Sequence, residues 1–584
     1  MASKSTINTG QPIAKDNYKW IALSNTTLAA LLGAINASSV ILALPVIFRG
    51  IGINPLAPEG SNYLLWLLMG YMLVIAVSVV TLGRLGDMFG RTRIYNLGFA
   101  IFTVGSLLCA ITWSTGSAGA IELILFRVVQ AVGSACLISN SAAILTDAFP
   151  ENQRGMALGL NQVAFIGGTF LGILVGGLLA EVGWQWVFLF NVPIGIAGTI
   201  WAYVKLRETG TRKSEPIDWW GNLTFAVGLT MLLTGVIYGI NPSSSSLMSW
   251  TTPFVLSMLV GGIALLITFV FIERFVPAPM FRINLFRIRA FATGNIALFL
   301  AALARGGFML MLTIWLQGIW LPLHGYDFEV TPLWAGIYMI PTSLGFLIAG
   351  PLSGWLSDRL GARLLATGGM VLAALTFLLL LFLPVDFAYP LFAIVIFLNG
   401  ISMGMFIAPN TAAIMNSVPQ RHRGASSGMM ATLNNVGMPL SMGIFFSLII
   451  VGMNGSVPTV MYTQLVQHNV PAQIAKSLAS APPVGYLFAA FLGYNPLGAL
   501  IPTDVLHTLP PEQATAITSR IFFPQLISES FHQGLIQVFV FSCVMCAIAA
   551  GISWLRGGKY VYHEDEQEPT SCDSDMSSSQ NQDS

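Results

Sequence analysis

Charged side chains are scarce in this chain. Lys, Arg, Asp and Glu make up 9% of its 584 residues, where a soluble domain carries roughly 25%. So low a content cannot cover the surface of a soluble protein of this length, but it suits one whose perimeter faces hydrocarbon. Net charge is nearly absent too, at +1 from 26 basic and 25 acidic residues, which leaves no overall field to attract nucleic acid. Of the five cysteines, Cys109, Cys136, Cys543 and Cys546 lie in apolar stretches and Cys572 in a polar tail, so no disulfide framework is indicated. The CxxC of Cys543 and Cys546 falls inside a hydrophobic helix, a poor place for metal or redox chemistry. No GxxxxGK[ST] loop and no His/Cys cluster at metal spacing occurs, so no nucleotide, metal or other cofactor and no enzymatic activity are expected. Met1 to Tyr18 lack the apolar core and cleavage site of a secretory signal, which leaves the first hydrophobic helix to direct insertion.

Hydrophobic runs are abundant instead, with 55% of residues apolar. A bilayer-spanning helix needs about 20 mainly apolar residues. Such runs stand near 20–46, 63–83, 94–113, 120–145, 156–180, 186–205, 219–239, 252–272, 291–316, 332–356, 363–384, 389–415, 425–452 and 531–555. The expected fold class is therefore an all-α polytopic membrane protein with fourteen transmembrane helices. An even number places both termini on one side, and the Lys and Arg distribution selects the cytoplasm. Only Arg49, Lys476 and Arg520 fall in segments on the opposite side, and Arg127 and Arg305 fall within spans. The longest break, 454–529, is expected outside the cell. Its apolar stretch Val484 to Leu500 is short and broken by Pro496, so it reads as an interfacial or hairpin element over the outer mouth. The Ser-, Asp- and Glu-rich tail 556–584 is expected to be disordered.

An internal repeat is present. Gly83-Arg-Leu-Gly-Asp87-Met-Phe-Gly90-Arg91 closes the second span, and 271 residues later Gly354-Trp-Leu-Ser-Asp358-Arg-Leu-Gly361-Ala-Arg363 closes the tenth. The shared frame is G-x-L-x-D-x-x-G with an arginine close behind. Glycines permit the tight reversal, and the Asp is favoured near the start of the next helix. Two copies at equivalent positions imply two homologous halves, with substrate bound between them and access alternating as they rock. The Asp and Arg of each copy then either lock one side by bridging helix ends or merely shape the loop.

With these motifs the chain resembles the major facilitator superfamily, in its 14-helix drug/proton antiporter (multidrug efflux) branch. Further matching passages are Ile35–Pro45, Phe126–Gly133, Phe149–Gly155, Trp186–Gly195, Ile217–Gly221 and Pro409–Gly428, and the likeness covers roughly 20–450 plus the last span. The resemblance implies a cytoplasmic segment 1–19, a six-helix bundle 20–205, inserted helices 7 and 8 within 206–290, and a second bundle 291–555. It also implies alternating-access export of hydrophobic or amphipathic, drug-like compounds in exchange for protons. The implied setting is a monomer among the lipids of the cytoplasmic membrane, without nucleic acid. The alternatives are a lipid or anionic-metabolite carrier, and a transport-inactive membrane sensor or assembly partner; intact copies of both loop motifs argue against the last.

Arg127 in the fourth span is a functional candidate, since a membrane arginine is costly unless paired or hydrated. It looks like the family arginine that takes part in proton transfer, with Glu122, Asn36 or backbone carbonyls as partners; a purely structural, carbonyl-capping role is the alternative. Glu122 and Glu181 are the acids that fall near a span outside any loop motif, and they join Arg127 as proton-coupling candidates. Asn36 stands where the branch usually has an aspartate, so the expected membrane carboxylate is missing, and an amide carries no proton at physiological pH. Gly168, Gly172 and Gly176 repeat at a spacing that lets helix backbones approach closely. That stretch resembles the family's antiporter motif, with Ile173 in place of its usual proline. Arg305 shares its span with no acid, so it takes either an anionic ligand or a partner from another helix. The candidate substrate-lining set is Asn36, Ser39, Gln130, Asn161, Phe165, Arg305, Met309, Trp315 and Asn434.

Overall fold

The computed structural model describes residues 17–53, 60–208, 218–240, 248–276, 279, 281–419, 423–480, 483–493 and 495–557. Cys572 and nearly all of the tail 556–584 lie outside the described residues, as do most of the segment 1–19, the Asp358 side chain and parts of the connecting loops. Fourteen helices are long and apolar enough to cross a membrane. They are α1 (Tyr18–Ile51), α2 (Asn62–Phe89), α3 (Arg91–Ala110), α4 (Gly116–Ala148), α5 (Met156–Val182), α6 (Trp184–Lys205) and α7 (Trp219–Ile240). The remainder are α8 (Pro253–Phe275), α9 (Arg289–Leu323), α10 (Thr331–Ser357), α11 (Ala362–Leu381), α12 (Tyr389–Asn416), α13 (Ala425–Asn454) and α14 (Phe522–Trp554). The last begins nine residues earlier than its apolar run suggests, because Phe522 to Ser530 continue the helix through Gln525, Ser528 and Glu529. Hydropathy sees only the stretch that suits hydrocarbon; the helix itself extends beyond it.

Helices α1–α6 form one bundle and α9–α14 the other, with α7 and α8 paired and α7 laid against α2 and α13. The end where α1 begins is called the basic face below and the opposite end the far face. The halves meet along two seams, α5 with α10 and α2 with α13. Under the internal repeat these seams are the same pairing used twice, the fifth helix of one half against the second of the other.

Small residues set the closest approaches. A methyl on Gly168 would strike the Leu31 backbone of α1, one on Gly172 the Ile35 backbone and one on Gly176 the Ser39 backbone. Glycine at that spacing is what allows α5 to lie on α1 backbone to backbone. Gly177 then packs on Leu333 at the start of α10, and Gly336 of α10 packs on Ile173. In the loop repeat, Gly90 (φ 113) and Gly361 (φ 85) both hold left-handed backbone, a conformation that glycine adopts without steric cost.

Contacts that join the halves lie toward the far face. Gln317 of α9 donates from Nε2 to the Leu42 carbonyl of α1 at 3.2 Å, and Gly443 of α13 faces Met69 of α2 and Val236 of α7. Short helices between α13 and α14 cover this end. One of them, Pro483–Phe491, is buried almost throughout, with Tyr486, Leu487, Phe488 and Phe491 inaccessible. It touches the start of α2 as well as α9, α13 and α14. Phe488 meets Phe446 of α13 with centroids 5.4 Å apart, Tyr486 donates its hydroxyl to the Leu478 carbonyl at 2.6 Å, and burial pushes the Tyr486 phenol up. The element thus sits within the mouth between the halves rather than on the membrane interface. Toward the basic face, α1 and α5 border a groove of about 540 Å3 lined by residues that include Trp20, Thr27, Leu31 and Leu160.

The α1–α5 contact gives the first prediction. Gly172→Val should lower the thermal unfolding temperature of the detergent-purified protein, at an overpacking cost of about 1–3 kcal/mol. Gly167→Ala, whose methyl meets nothing within 4 Å, should leave it unchanged. Equal behaviour of the two variants would count against backbone contact as the reason for the glycine spacing.

Candidate functional site

Arg127 is 97% buried in the interior of the first half, so every donor it carries needs an acceptor or a π face. Its Nε donates to the Leu67 carbonyl at 3.1 Å and one terminal nitrogen to Gln130 Oε1 at 3.4 Å. The guanidinium also lies 4.4 Å from the centroid of the Tyr71 ring, a cation–π contact. Leu67 belongs to a π-helical turn, Trp66–Gly70, a local widening of the ladder of the kind found at functional sites. Gln130 exchanges hydrogen bonds with Asn36, at 3.1 and 3.3 Å, and donates to Ser106 Oγ at 2.8 Å. Asn191 Nδ2 donates to Asn36 Oδ1 at 3.3 Å, and the Tyr71 and Ser134 hydroxyls are 2.7 Å apart.

This network takes side chains from α1, α2, α3, α4 and α6, and its only charge is that of Arg127. Glu122 is not part of it. Its Oε2 instead accepts the Ser114 amide at 3.2 Å near the far face. Glu181 is exposed at the far end of α5. The proton-coupling candidates are therefore not brought together. Asn36 and Gln130 are fully buried within the network. Ser39 and Trp315, expected among lining residues, are packing elements instead. Ser39 donates to the Asn36 carbonyl beneath Gly176. Trp315 donates to the Val385 carbonyl at 3.2 Å within a ring cluster of Phe387, Phe392 and Phe539. Asn161, Phe165, Arg305, Met309 and Asn434 retain accessible surface.

In the second half α9 is interrupted beside Arg305. One helical piece ends at that residue and another runs Phe308–Trp315. The Gly307 amide leaves the ladder to donate to Ser441 Oγ of α13 at 3.0 Å, and the ladder resumes with the Met311 amide on the Gly307 carbonyl at 3.0 Å. Both glycines are needed here, since a methyl on Gly306 would strike the Met438 backbone and one on Gly307 the Phe445 ring. Among the described residues no hydrogen bond or ion pair reaches the Arg305 guanidinium.

At the basic face the first loop copy is an ionic clamp. Arg91 pairs with Asp87 at 2.7 Å and with Asp147 at the end of α4 at 2.7 Å. Glu208, just past α6, accepts the Arg91 amide at 3.0 Å and the Thr92 amide at 3.2 Å, a carboxylate at the positive end of α3. The second copy differs. Arg363 lies 3.9 Å from the ring centroid of Trp554 at the end of α14, and Arg289 Nε donates to the neighbouring Leu555 carbonyl at 2.7 Å. Arg556 is buried against Asn410, and burial lowers its pKa to about 10, which keeps it charged at neutral pH. Gly83 and Gly354 lie within the last turns of α2 and α10, ahead of these clamps.

Sequence reasoning missed Tyr71, Ser106, Ser134, Asn191, Asp147, Glu208 and Trp554. Asn191 stands inside a recognised passage, and Asp147 lies two residues ahead of another. Tyr71, Ser106 and Ser134 carry no signal beyond being polar in an apolar run.

Two six-helix halves of like topology, bound together toward one end and carrying a duplicated loop at the other, define a membrane transport protein and not an enzyme. The chain belongs to the major facilitator superfamily, whose sequence model, described as Major Facilitator Superfamily, matches residues 26–221 and 217–442. Methyl viologen resistance protein SmvA of Salmonella typhimurium is 31% identical over 438 residues, 73% of this chain and 82% of the relative. Riboflavin transporter RibZ of Clostridioides difficile is 27% identical over 431 residues, 74% of this chain and 88% of the relative. In fold the chain is similar to a bacterial homologue of the human lysosomal transporter Spinster in its inward-facing, unoccupied conformation. There the TM-score is 0.54 at 17% identity, covering 93% of this chain and 98% of that one.

Replacing Gln130 by Leu should strip partners from Asn36, Ser106 and Arg127 at once. Leaving such buried groups unsatisfied costs about 1–3 kcal/mol, read as a fall in melting temperature; an unchanged melting curve would show that the network contributes no stability.

Proposed function

We propose that the protein exports hydrophobic and amphipathic compounds across the cytoplasmic membrane by alternating access, in exchange for protons. In this reading the basic face is cytoplasmic, as the lysine and arginine bias requires. Both termini then lie inside the cell, and the short helices between α13 and α14 lie outside it. The protein works as a monomer among membrane lipids. The observation that carries the proposal is the asymmetry of the contacts between halves. They lie toward the far face, at Gly177–Leu333, Gly336–Ile173 and Gln317–Leu42. Relatives named for methyl viologen resistance and for riboflavin transport support a small-molecule cargo.

The clamp gates access in this reading. Asp87 and Asp147 share Arg91, so breaking either pair removes one of the arginine's counter-charges and loosens the junction of α2, α3 and α4. A loop held by ion pairs in one state and released in the other is a two-state element that the transport cycle can bias.

Asp87→Asn should abolish efflux from loaded proteoliposomes while the protein remains in the membrane at the wild-type level. Wild-type-like efflux in this variant would overturn the gating role. Wild-type vesicles should also show a luminal pH change, read by an entrapped dye, whenever substrate moves. Transport that proceeds unchanged without a pH gradient or voltage would exclude proton exchange.

A further inference from the structure

The two intramembrane arginines stand in opposite situations. Arg127 is buried and saturated by Leu67, Gln130 and the Tyr71 ring. Arg305 is half-buried and without a hydrogen bond or ion pair among the described residues. It is also the seventeenth residue of the 35 in α9, which puts it at the middle of the membrane. The central third of every span is free of Asp and Glu, whereas both arginines fall within it.

A guanidinium at the bilayer centre is costly unless it meets water, a partner or a ligand. Here the protein supplies no carboxylate at that depth. A cation entering between the halves would meet positive charge only, while an anion would complete an ion pair that the fold leaves open. The surroundings suit an amphipathic anion. Met309, one turn further along the same face of α9, is half-buried and adaptable. Asn434 of α13 lies one turn ahead of the Met438 backbone that packs on Gly306, and its one hydrogen bond among the described residues is a long one to Met438 Sδ at 3.9 Å.

We propose that Arg305 is an anion subsite that receives the acidic group of the cargo, so that the preferred substrates are amphipathic anions: a carboxylate, sulfonate or phosphate ester on an apolar body. The proposal rests on the export reading above and names its substrate class. Either a soluble amphipathic acid or an anionic lipid headgroup supplies this chemistry.

The test uses the full-length protein in vesicles and four fluorescent probes. Three share one dansylated alkyl body ending in a sulfonate, a quaternary ammonium or an alcohol; the fourth is a nitrobenzoxadiazole-labelled phosphatidylglycerol placed in one leaflet. The wild type should prefer the sulfonate over the ammonium. Arg305→Gln should raise KM for the sulfonate about tenfold or more and leave the alcohol unchanged, and Arg305→Lys, which keeps the charge, should retain most of the preference. Arg305-dependent movement of the sulfonate supports a soluble acid, and the same dependence for the phosphatidylglycerol alone supports a lipid headgroup. Equal loss of sulfonate and alcohol in Arg305→Gln overturns the subsite, as does a wild-type preference for the ammonium. That wild-type comparison decides the matter even where Arg305→Gln fails to reach the membrane. If the wild type moves none of the four probes, the export reading itself fails; if the alcohol moves and no anion preference exists, only the subsite does.

Discussion

A guanidinium that must stay charged in the interior of a membrane bundle fixes much of the first half. Arg127 has no carboxylate to neutralise it, so its donors are taken up by a carbonyl, an amide and an aromatic face. Those acceptors need partners of their own, which extends the network to Asn36, Ser106 and Asn191. Each of these lies on a different helix. The π turn of α2 places Leu67 within reach, and Asn36 suits a position that must both donate and accept. Five helices are thereby held in register by one buried charge. The sixth, α5, contributes nothing to the network. It is held by glycines against the α1 backbone and by the hydrogen bond from Ser38 Oγ to the Thr169 carbonyl, and it is the helix that carries the first half's contact with α10. The other contacts with the second half are made by network helices, α2 against α13 and α1 through Leu42.

The second half solves the same packing problem with rings instead of hydrogen bonds. Trp315, Phe377, Phe387, Phe392 and Phe539 interlock around the part of α9 nearer the far face. Arg305, ten residues earlier on α9, lies outside this cluster. The two intramembrane arginines are not counterparts in the repeat, since Arg127 lies on the fourth helix of its half and Arg305 on the first helix of the other.

Much of the architecture was legible because the bilayer imposes it. Helix number follows from hydrocarbon thickness, and the repeat of Gly83–Arg91 at Gly354–Arg363 gave two halves before any contact was known. The glycine spacing of α5 was readable for the same reason, since only close backbone approach explains it. Which face of a helix meets which neighbour was not readable. A helix apolar on all sides carries no amphipathic stripe to orient it, so Ser39 and Trp315 looked like lining residues and proved to be packing. Glu122 looked like a partner for Arg127 on sequence proximity alone, but the two residues are separated by more than one turn of α4. The apolar stretch from Val484 announced an element near the outer mouth, yet its burial between the halves depends on four helices distant in sequence.

The two copies of the loop motif now respond to different conditions. Arg91 is held by carboxylates that remain partly open to water, so dissolved salt screens its attachments. Arg363 rests on the Trp554 ring, an attraction in which neither partner carries a negative charge. Raising ionic strength therefore acts chiefly on the first half's clamp and spares the aromatic one. The solution can thus adjust the Arg91 latch and largely cannot adjust the contact of Arg363 with Trp554.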